Sequence, residues 1–447
     1  MISAMMVRAL GPAMAYPAYR AYWFGTLASV SGFQMLNFSQ FWIIHRLTHD
    51  PMFLGYVGLA SAIPSIVLNI FGGVLADRLE RRRLIAITQT VNGLLIIVLT
   101  LLTFTGIVQP FHVIVLAFLA GAVNAFDQPA RQALYPALIE HKVMMNAVAL
   151  NSAIWTGTRI VAPAFAGLII TLAGEGTSFL LSSLGFFAMA VIVMSIDIPS
   201  KVPTSAGSSD ESRRQSDSHG GGLLEGVKFI ASNNIFLFLI SMTFFNSFFG
   251  MSYIPMMPVF AVEILKVGAD GQGVLMGLGG VGALGMTIVL GRIGNFKQRG
   301  WLIIVGSLLF GLFLAAFAYT AQILGNYILA MSLMFLMGAS SSIYMISIMS
   351  SLQLMVPDNM RGRVMGFYGM TWSIMPLGGI FAGGLASLLG NGSDGVPVAV
   401  ALGGLSVALF AIGPALLNGN VRSVGVIIEK YQISEPFRSQ KATAASK

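Results

Sequence analysis

The stretch Ala147–Leu172, AVALNSAIWTGTRIVAPAFAGLIITL, decides the fold class. It is long enough to cross a bilayer as one helix, and its single charged residue is Arg159. A guanidinium at the bilayer centre costs at least about 2.5–3.5 kcal/mol on insertion scales, so a helical bundle keeps one there only where another group compensates it. The stretch therefore predicts a transmembrane helix whose Arg159 faces an enclosed polar cavity.

The composition extends this interpretation to the whole chain of 447 residues. Hydrophobic residues make up 56% of it and charged residues 9%, whereas soluble domains carry roughly 25% charge. The apolar runs are about 20 residues or longer and lack the alternation of barrel strands, which predicts an all-α polytopic membrane protein. The chain contains no cysteine, which excludes disulfides, cysteine-ligated metals and thiol catalysis.

Twelve apolar stretches predict transmembrane helices. They lie at about 21–44, 53–76, 84–106, 111–133, 147–171, 176–196, 235–262, 271–293, 300–321, 324–350, 364–389 and 396–417.

The basic residues predict the orientation of these helices. With both termini in the cytoplasm, every Lys and Arg except Arg46, Arg159 and Lys266 lies on the cytoplasmic side, as the positive-inside rule requires. This topology explains the net charge of +8, so no nucleic-acid partner is expected.

The domain organisation follows from one polar interruption and a weak repeat. Asp197–Gly222 is rich in Ser and Gly, and it separates two sets of six helices. A shift of 217 positions places Trp155 on Trp372 and Gly167 on Gly384, which favours duplicated, pseudo-symmetric halves. The predicted domains are a bundle at 1–196, a linker with a short interfacial helix at 197–233, a bundle at 234–417 and a cytoplasmic tail at 418–447.

The turn after the second helix carries a recognisable motif. Residues 73–83, GVLADRLERRR, resemble the signature G-x-x-x-D-R-x-G-R-R of the major facilitator superfamily, with Glu80 in place of its second glycine. The resemblance implies the major facilitator fold and a cytoplasmic latch between neighbouring helices. Alternatively, the turn is basic only to set topology. The candidate latch residues are Gly73, Asp77, Arg78, Arg81, Asp127 and Arg131.

Two further elements loosely resemble the G-P-x-x-G-G motif of antiporters in this superfamily. Their proline and small residues allow close helix contact, which also permits an interpretation as ordinary packing. The elements contain Gly157, Pro163 and Gly167 in the fifth helix and Pro376, Gly379 and Gly383 in the eleventh.

Four other segments narrow the resemblance to the branch with the enterobactin exporter and the macrolide efflux proteins. They are 126–134, 146–152, 257–261 and 356–366. This resemblance implies export from the cytoplasm across the bacterial inner membrane by alternating access. It also implies proton antiport. Uncharged polar, aromatic and Met residues in the predicted helices favour a small, amphipathic substrate, siderophore-like or drug-like. An importer of the same fold and a non-transporting membrane scaffold or sensor remain alternatives.

In this superfamily the first, fourth, seventh and tenth helices line the cavity, and here they carry uncharged polar residues. The candidate substrate or coupling residues are Arg159, Asp127, Gln34, Asn37, Asn124, Asn246, Tyr253, Ser340, Tyr344 and Ser347. Interhelical hydrogen bonding is the alternative role for each of them. The partner of Arg159 is left open between Asp127, a backbone carbonyl and an anionic group of the substrate.

Several patterns exclude other chemistry. Residues 277–282 match G-x-G-x-x-G inside a predicted helix without a preceding strand, and no Walker A sequence is present. The five histidines lack the spacing of a metal site. We therefore expect no enzyme activity, no cofactor and no metal. The expected partners are a small-molecule substrate, the lipid bilayer and protons, and the chain is expected to be a monomer.

Overall fold

The computed structural model describes residues 2–196, 219–293, 298–390, 394–417 and 422, and these are helical throughout apart from short connections. The α-helices are α1 (Ile2–Leu10), α2 (Pro17–Thr48), α3 (Pro51–Arg78), α4 (Arg81–Phe104), α5 (Pro110–Leu134), α6 (Met144–Ser195), α7 (His219–Ser232), α8 (Asn234–Phe245), α9 (Tyr253–Val259), α10 (Gly268–Ile293), α11 (Arg299–Leu324), α12 (Tyr327–Met355), α13 (Asp358–Met370), α14 (Met375–Leu389) and α15 (Gly395–Leu417).

Two π-helical segments flank α9, at Asn246–Gly250 and Phe260–Ile264. Short 3₁₀ turns occupy Pro12–Ala15, Tyr135–Leu138, His141–Val143 and Thr371–Ile374.

The helix ends follow from local sequence. The helices α2, α3 and α5 each begin at a proline, whose fixed φ suits the first helical position. Asp50 adds a side-chain acceptor for the backbone N–H of Met52 at 2.9 Å. His49 and Gly325 end α2 and α11 in the left-handed conformation, which stops the helical hydrogen-bond pattern.

The prediction of an all-helical, multi-pass membrane protein is confirmed. Within the described residues, ten helical segments are long and apolar enough to cross a membrane. The ten count His141–Ser195 as one segment, and they do not include the more polar α2. The count of twelve spans and the symmetry of two halves stay predictions.

The described residues fall into two compact units. The first contains Met1–Thr204, Ile254–Gly280 and Gly379–Pro397, and the second contains Ser205–Tyr253, Val281–Gly378 and Val398–Lys447. The predicted domain bounds at 1–196 and 234–417 are not tested by this division. The predicted linker up to residue 218 and the tail, except Arg422, lie outside the described residues.

Glycines bring the helices of the first unit into backbone contact. A Cβ on Gly32 would lie 2.6 Å from the carbonyl oxygen of Ser182, and one on Gly121 would collide with the carbonyl of Ser61. These contacts join α2 to α6 and α3 to α5. Close approach of this kind is how membrane helices gain packing energy without a hydrophobic driving force.

Glycines also bring helices of the second unit into backbone contact. Gly311 on α11 and Gly404 on α15 face each other, and a Cβ on either would press on the other's backbone carbonyl. Phe310 and Tyr344 pack behind this contact with ring centroids 5.8 Å apart. The unit is therefore tightly packed around α11 and α12.

Candidate functional site

A buried charged pair lies near the end of α5. Asp127 and Arg131 are 4% and 7% exposed, and Nε of Arg131 donates to Oδ2 of Asp127 at 2.5 Å. Their spacing of four residues places them on one face of the helix. A single apolar helix thus carries both members of an ion pair within the protein interior.

Three neighbouring side chains complete this pair, and we call the five residues the Asp127 network. Thr88 and Gln89 on α4 donate to Oδ1 of Asp127 at 2.8 and 2.9 Å. Ser29 on α2 accepts from Nη2 of Arg131 at 2.8 Å and donates to Oε1 of Gln89 at 2.7 Å. The network therefore joins α2, α4 and α5 around one carboxylate.

One donor of the network is unsatisfied. Nη1 of Arg131 is buried and has no hydrogen-bond partner among the described residues. A buried, unpaired donor costs about 1–3 kcal/mol, more when it is charged.

Basic side chains of the turn between α3 and α4 contact the ends of two other helices. Nη1 of Arg81 donates to the carbonyl of Ala133 at 3.0 Å, and Nη1 of Arg82 donates to the carbonyl of Ile196 at 2.6 Å. Glu80, which replaces the motif glycine, forms ion pairs with Arg82 and Arg83. The basic turn thus binds the carboxyl ends of α5 and α6.

The side chains of Gly73, Asp77 and Arg78 lie outside the described part of the structure. Of the remaining latch candidates, Arg81 reaches a backbone carbonyl at the end of α5, whereas Asp127 and Arg131 pair with each other. The latch role stays a prediction.

Arg159 lies on a polar stripe of α6. Ser152, Thr156 and Arg159 are all exposed, and their spacing of four and three residues puts them on one helical face. Trp155 makes an edge contact with Phe33, with ring centroids 6.3 Å apart. Polar side chains in series on an exposed face indicate water rather than lipid tails beside this part of α6.

Beyond the stripe, α6 packs closely against α10 within the first unit. A Cβ on Gly273 would lie 2.7 Å from the carbonyl oxygen of Pro163, and one on Gly167 would collide with the carbonyl of Ala269. Gly157 differs, because a Cβ there meets open space. Contact with α10 begins directly after Arg159, since a Cβ on Gly280 would collide with Ile160, and it continues through Pro163 to Gly167.

The residues of the eleventh-helix element take part in similar contacts. A Cβ on Gly383 would lie 2.7 Å from the carbonyl oxygen of Pro51, and one on Gly379 would lie 3.2 Å from Cγ of Pro255. Pro376 is half-buried in the second unit. The two buried glycines therefore serve close helix packing, and the resemblance to an antiporter motif stays a prediction.

The remaining polar candidates divide by burial. In the first unit Gln34, Asn37 and Asn124 are half-buried, and Asn124 accepts from Nδ2 of Asn92 at 3.2 Å. These side chains reach the accessible face of their helices. A direct contact between Arg159 and Asp127 stays a prediction.

The candidates of the second unit are mostly interior. Tyr253 is half-buried, whereas Tyr344 is 1% exposed and its hydroxyl has no hydrogen-bond partner within the described residues. Buried with it are Asn246, Ser340 and Ser347. These four residues face the packed interior in this conformation, so substrate contact would require a rearrangement.

One cluster was missed by the sequence reasoning. His45 and His49, whose spacing predicts no metal site, lie together with Glu263 at the end of α2 that is farther from the Asp127 network. The spacing of four residues between the histidines is the signal that sequence provided. Glu263 lies 214 positions from His49 in the chain, and no local sequence pattern relates it to the histidines.

Comparisons with known proteins identify a family and several relatives to which this sequence is similar. The family described as transmembrane secretion effector, a major facilitator family, matches residues 8–442. The staphyloferrin A transporter of Staphylococcus aureus is 25% identical over 351 residues, covering 78% of this chain and 84% of that protein. The enterobactin exporter of Shigella flexneri is 23% identical over 403 residues, covering 90% and 91%. The resemblance to the major facilitator superfamily that the motifs indicated is therefore confirmed.

The fold has solved counterparts. A bacterial homologue of the human lysosomal transporter Spinster, in an inward-facing and unoccupied conformation, superposes with a TM-score of 0.65. The match covers 92% of this chain and 97% of that one at 14% identity, so it shows a shared fold alone.

Proposed function

The chain belongs to the transmembrane secretion effector family of the major facilitator superfamily, and from this membership we propose that it is a secondary active exporter of a small amphipathic molecule. The proposed location is the bacterial inner membrane, with both termini in the cytoplasm. The substrate class is siderophore-like or drug-like, and the proposed driving force is proton antiport. The family consists of transporters rather than enzymes, and none of the proposed steps is catalytic.

The buried Asp127 network is the observation that carries the coupling proposal. Asp127 is a titratable acid enclosed by α2, α4 and α5, and its charge is held by Arg131. Because Asp127 and Arg131 lie one turn apart on α5, a helix movement would separate the carboxylate from Thr88 and Gln89 on α4 rather than from Arg131, and protonation would then offset the lost donors. Proton binding and helix movement would thereby be linked at one residue.

The polar stripe of α6 supports the substrate proposal. Arg159 is exposed in the middle of an otherwise apolar span, and Ser152 and Thr156 continue the accessible face. An exposed guanidinium suits a carboxylate or catecholate, because its fork of donors binds such groups with two hydrogen bonds. Trp155 and Phe33 provide adjacent aromatic surface for an apolar moiety.

Alternating access would open and close two glycine contacts between helices of the first unit. The contact of Gly167 with Ala269 closes one end of the exposed face, and the contact of Gly383 with Pro51 lies in the same unit. Release on the far side requires these small-residue contacts to open.

The proposed topology has twelve spans in two halves. The helix α6 contains non-helical backbone at Gly174, with φ 80 and ψ 168, which divides it into two arms. The helix α2 is 32 residues long, enough to cross a bilayer despite its polar residues. Together with the other nine apolar segments, these support twelve crossings.

Transport into inside-out vesicles tests the proposal. The panel is a catecholate siderophore, a macrolide and a lipophilic dye, each with and without an acidified lumen. We expect gradient-driven accumulation of at least one compound by the wild type. Accumulation only in right-side-out vesicles would establish import and overturn the exporter.

Matched variants separate coupling from substrate binding. Asp127→Asn combined with Arg131→Gln should abolish the response to the pH gradient and retain downhill movement, whereas Glu140→Gln, at an exposed acid in the connection before α6, should behave as the wild type. Arg159→Gln should raise the KM for an anionic substrate more than Arg159→Lys does. Full gradient-driven accumulation by the double variant Asp127→Asn with Arg131→Gln would refute the role of Asp127 in proton coupling.

A further inference from the structure

We propose that His45, His49 and Glu263 form a binding site for a divalent transition-metal ion of the zinc type. The two histidines come from the last turns of α2, and the glutamate comes from the π-helical segment Phe260–Ile264. All three belong to the first unit. No proposed step of transport uses them.

The side chains already converge on one point. Nε2 of His45 lies 3.4 Å from Oε1 of Glu263, and Nδ1 of His49 lies 3.2 Å from the same oxygen. One ligand atom from each residue lies within 4.8 Å of the others. Zinc bonds of about 2.0–2.2 Å in a tetrahedral arrangement separate ligand atoms by roughly 3.4 Å, so small side-chain rotations would close the site.

The buried imidazole of His45 favours a metal ligand role. Its side chain is 2% exposed, and neither ring nitrogen has a hydrogen-bond partner in the described part of the chain. A hydrogen bond explains the contact of His49 with Glu263, but the contact of His45 with the same oxygen does not have that geometry. A metal ion would satisfy the buried imidazole, and a buried polar group without a partner costs about 1–3 kcal/mol.

The donor set and its access fit zinc. Two imidazoles and one carboxylate are typical zinc ligands, and three protein ligands leave a fourth position for water. His49 and Glu263 have side chains that are 65% and 33% exposed, so an ion can reach the site from solvent. His49 ends α2 in the left-handed backbone conformation, with φ 50, and this places its imidazole at the end of the helix.

The ion would bridge α2 and the Phe260–Ile264 segment. The ion would thereby fix this segment against the end of α2. Binding itself requires no transport activity.

Direct titration of the purified full-length protein with Zn²⁺ tests the site. The protein is placed in lipid nanodiscs and carries no polyhistidine tag, and binding is followed by calorimetry. We expect saturable binding of one ion per chain by the wild type. His49→Asn, which tolerates the left-handed backbone, and Glu263→Gln should each weaken binding by at least about tenfold.

Two further variants make the result decisive. Glu263→His replaces one zinc ligand by another and should retain binding, whereas His141→Asn removes an exposed histidine elsewhere and should change nothing. Absence of binding to the wild type would overturn the proposal, as would equal binding by all variants. Because calorimetry does not depend on transport, failure of the metal site and failure of the exporter proposal are distinguishable.

Discussion

Replacing Asp127 by Asn is the sharpest perturbation of the buried network. Asn keeps an oxygen that can accept from Thr88 and Gln89, but its amide presents a donor to Nε of Arg131 in place of Oδ2. The change therefore acts mainly on Arg131, which stays charged and buried. Its Nη1 already lacks a hydrogen-bond partner among the described residues, so little compensation is at hand.

The magnitude follows from the burial of both groups. Removing one partner of a buried ion pair costs about 3–5 kcal/mol, because the other charge is left uncompensated. Replacing both partners by neutral groups is often close to neutral. We expect Asp127→Asn to lose about 3–5 kcal/mol and the double variant with Arg131→Gln to lie within about 2 kcal/mol of the wild type.

A double-mutant cycle measures this. Unfolding is titrated with sodium dodecyl sulfate in mixed micelles and followed by the fluorescence of the five tryptophans. The coupling energy is the difference between the double variant and the sum of the singles. Additive losses, or a single variant within about 1 kcal/mol of the wild type, would refute the view that Asp127 compensates a buried charge.

The remaining predictions concern packing and surface contacts. Gly167→Ala should cost about 1–3 kcal/mol in the same titration, because its Cβ collides with the carbonyl of Ala269, whereas Gly157→Ala, with open space around it, should be neutral or slightly stabilising. Asn146→Ala should release α1, because the Asn146 side chain accepts from the N–H of Ala13 and donates to the carbonyl of Leu10 at 2.9 and 3.1 Å; faster hydrogen exchange confined to residues 2–15 would show it, and unchanged exchange would contradict it. Glu225→Gln should change stability by less than about 1 kcal/mol, since its pair with Arg363 is partly exposed; a loss comparable to that of Asp127→Asn would contradict the role assigned to burial.

Helix periodicity explains how much of the site the sequence could predict. The spacing of Asp127 and Arg131 places them on one face, and the serines and tyrosine of α12 likewise share a face. The sequence could not show which neighbour each face meets. Tyr344, expected at the cavity, is buried beside Phe310, whereas Arg159 is exposed.

The long-range partners required the structure. Ser29, Thr88 and Gln89 come to Asp127 from two other helices, and no local pattern relates them to it. Glu263 meets His49 across 214 positions of sequence. Their meeting depends on how the helices around them pack, which is a property of the whole bundle.

By itself, the sequence determined that this chain is a helical, multi-pass membrane protein of the major facilitator superfamily. Hydrophobic length and charge scarcity suffice for the first conclusion, because the bilayer core allows backbone only in hydrogen-bonded helices or closed barrels. Motif residues suffice for the second. Only the tertiary structure decided that Asp127 is compensated by Arg131 and that two histidines meet a glutamate. The physical reason is that glycine contacts such as those of Gly32 and Gly167 set the distances between helices, and those distances decide which polar groups can pair.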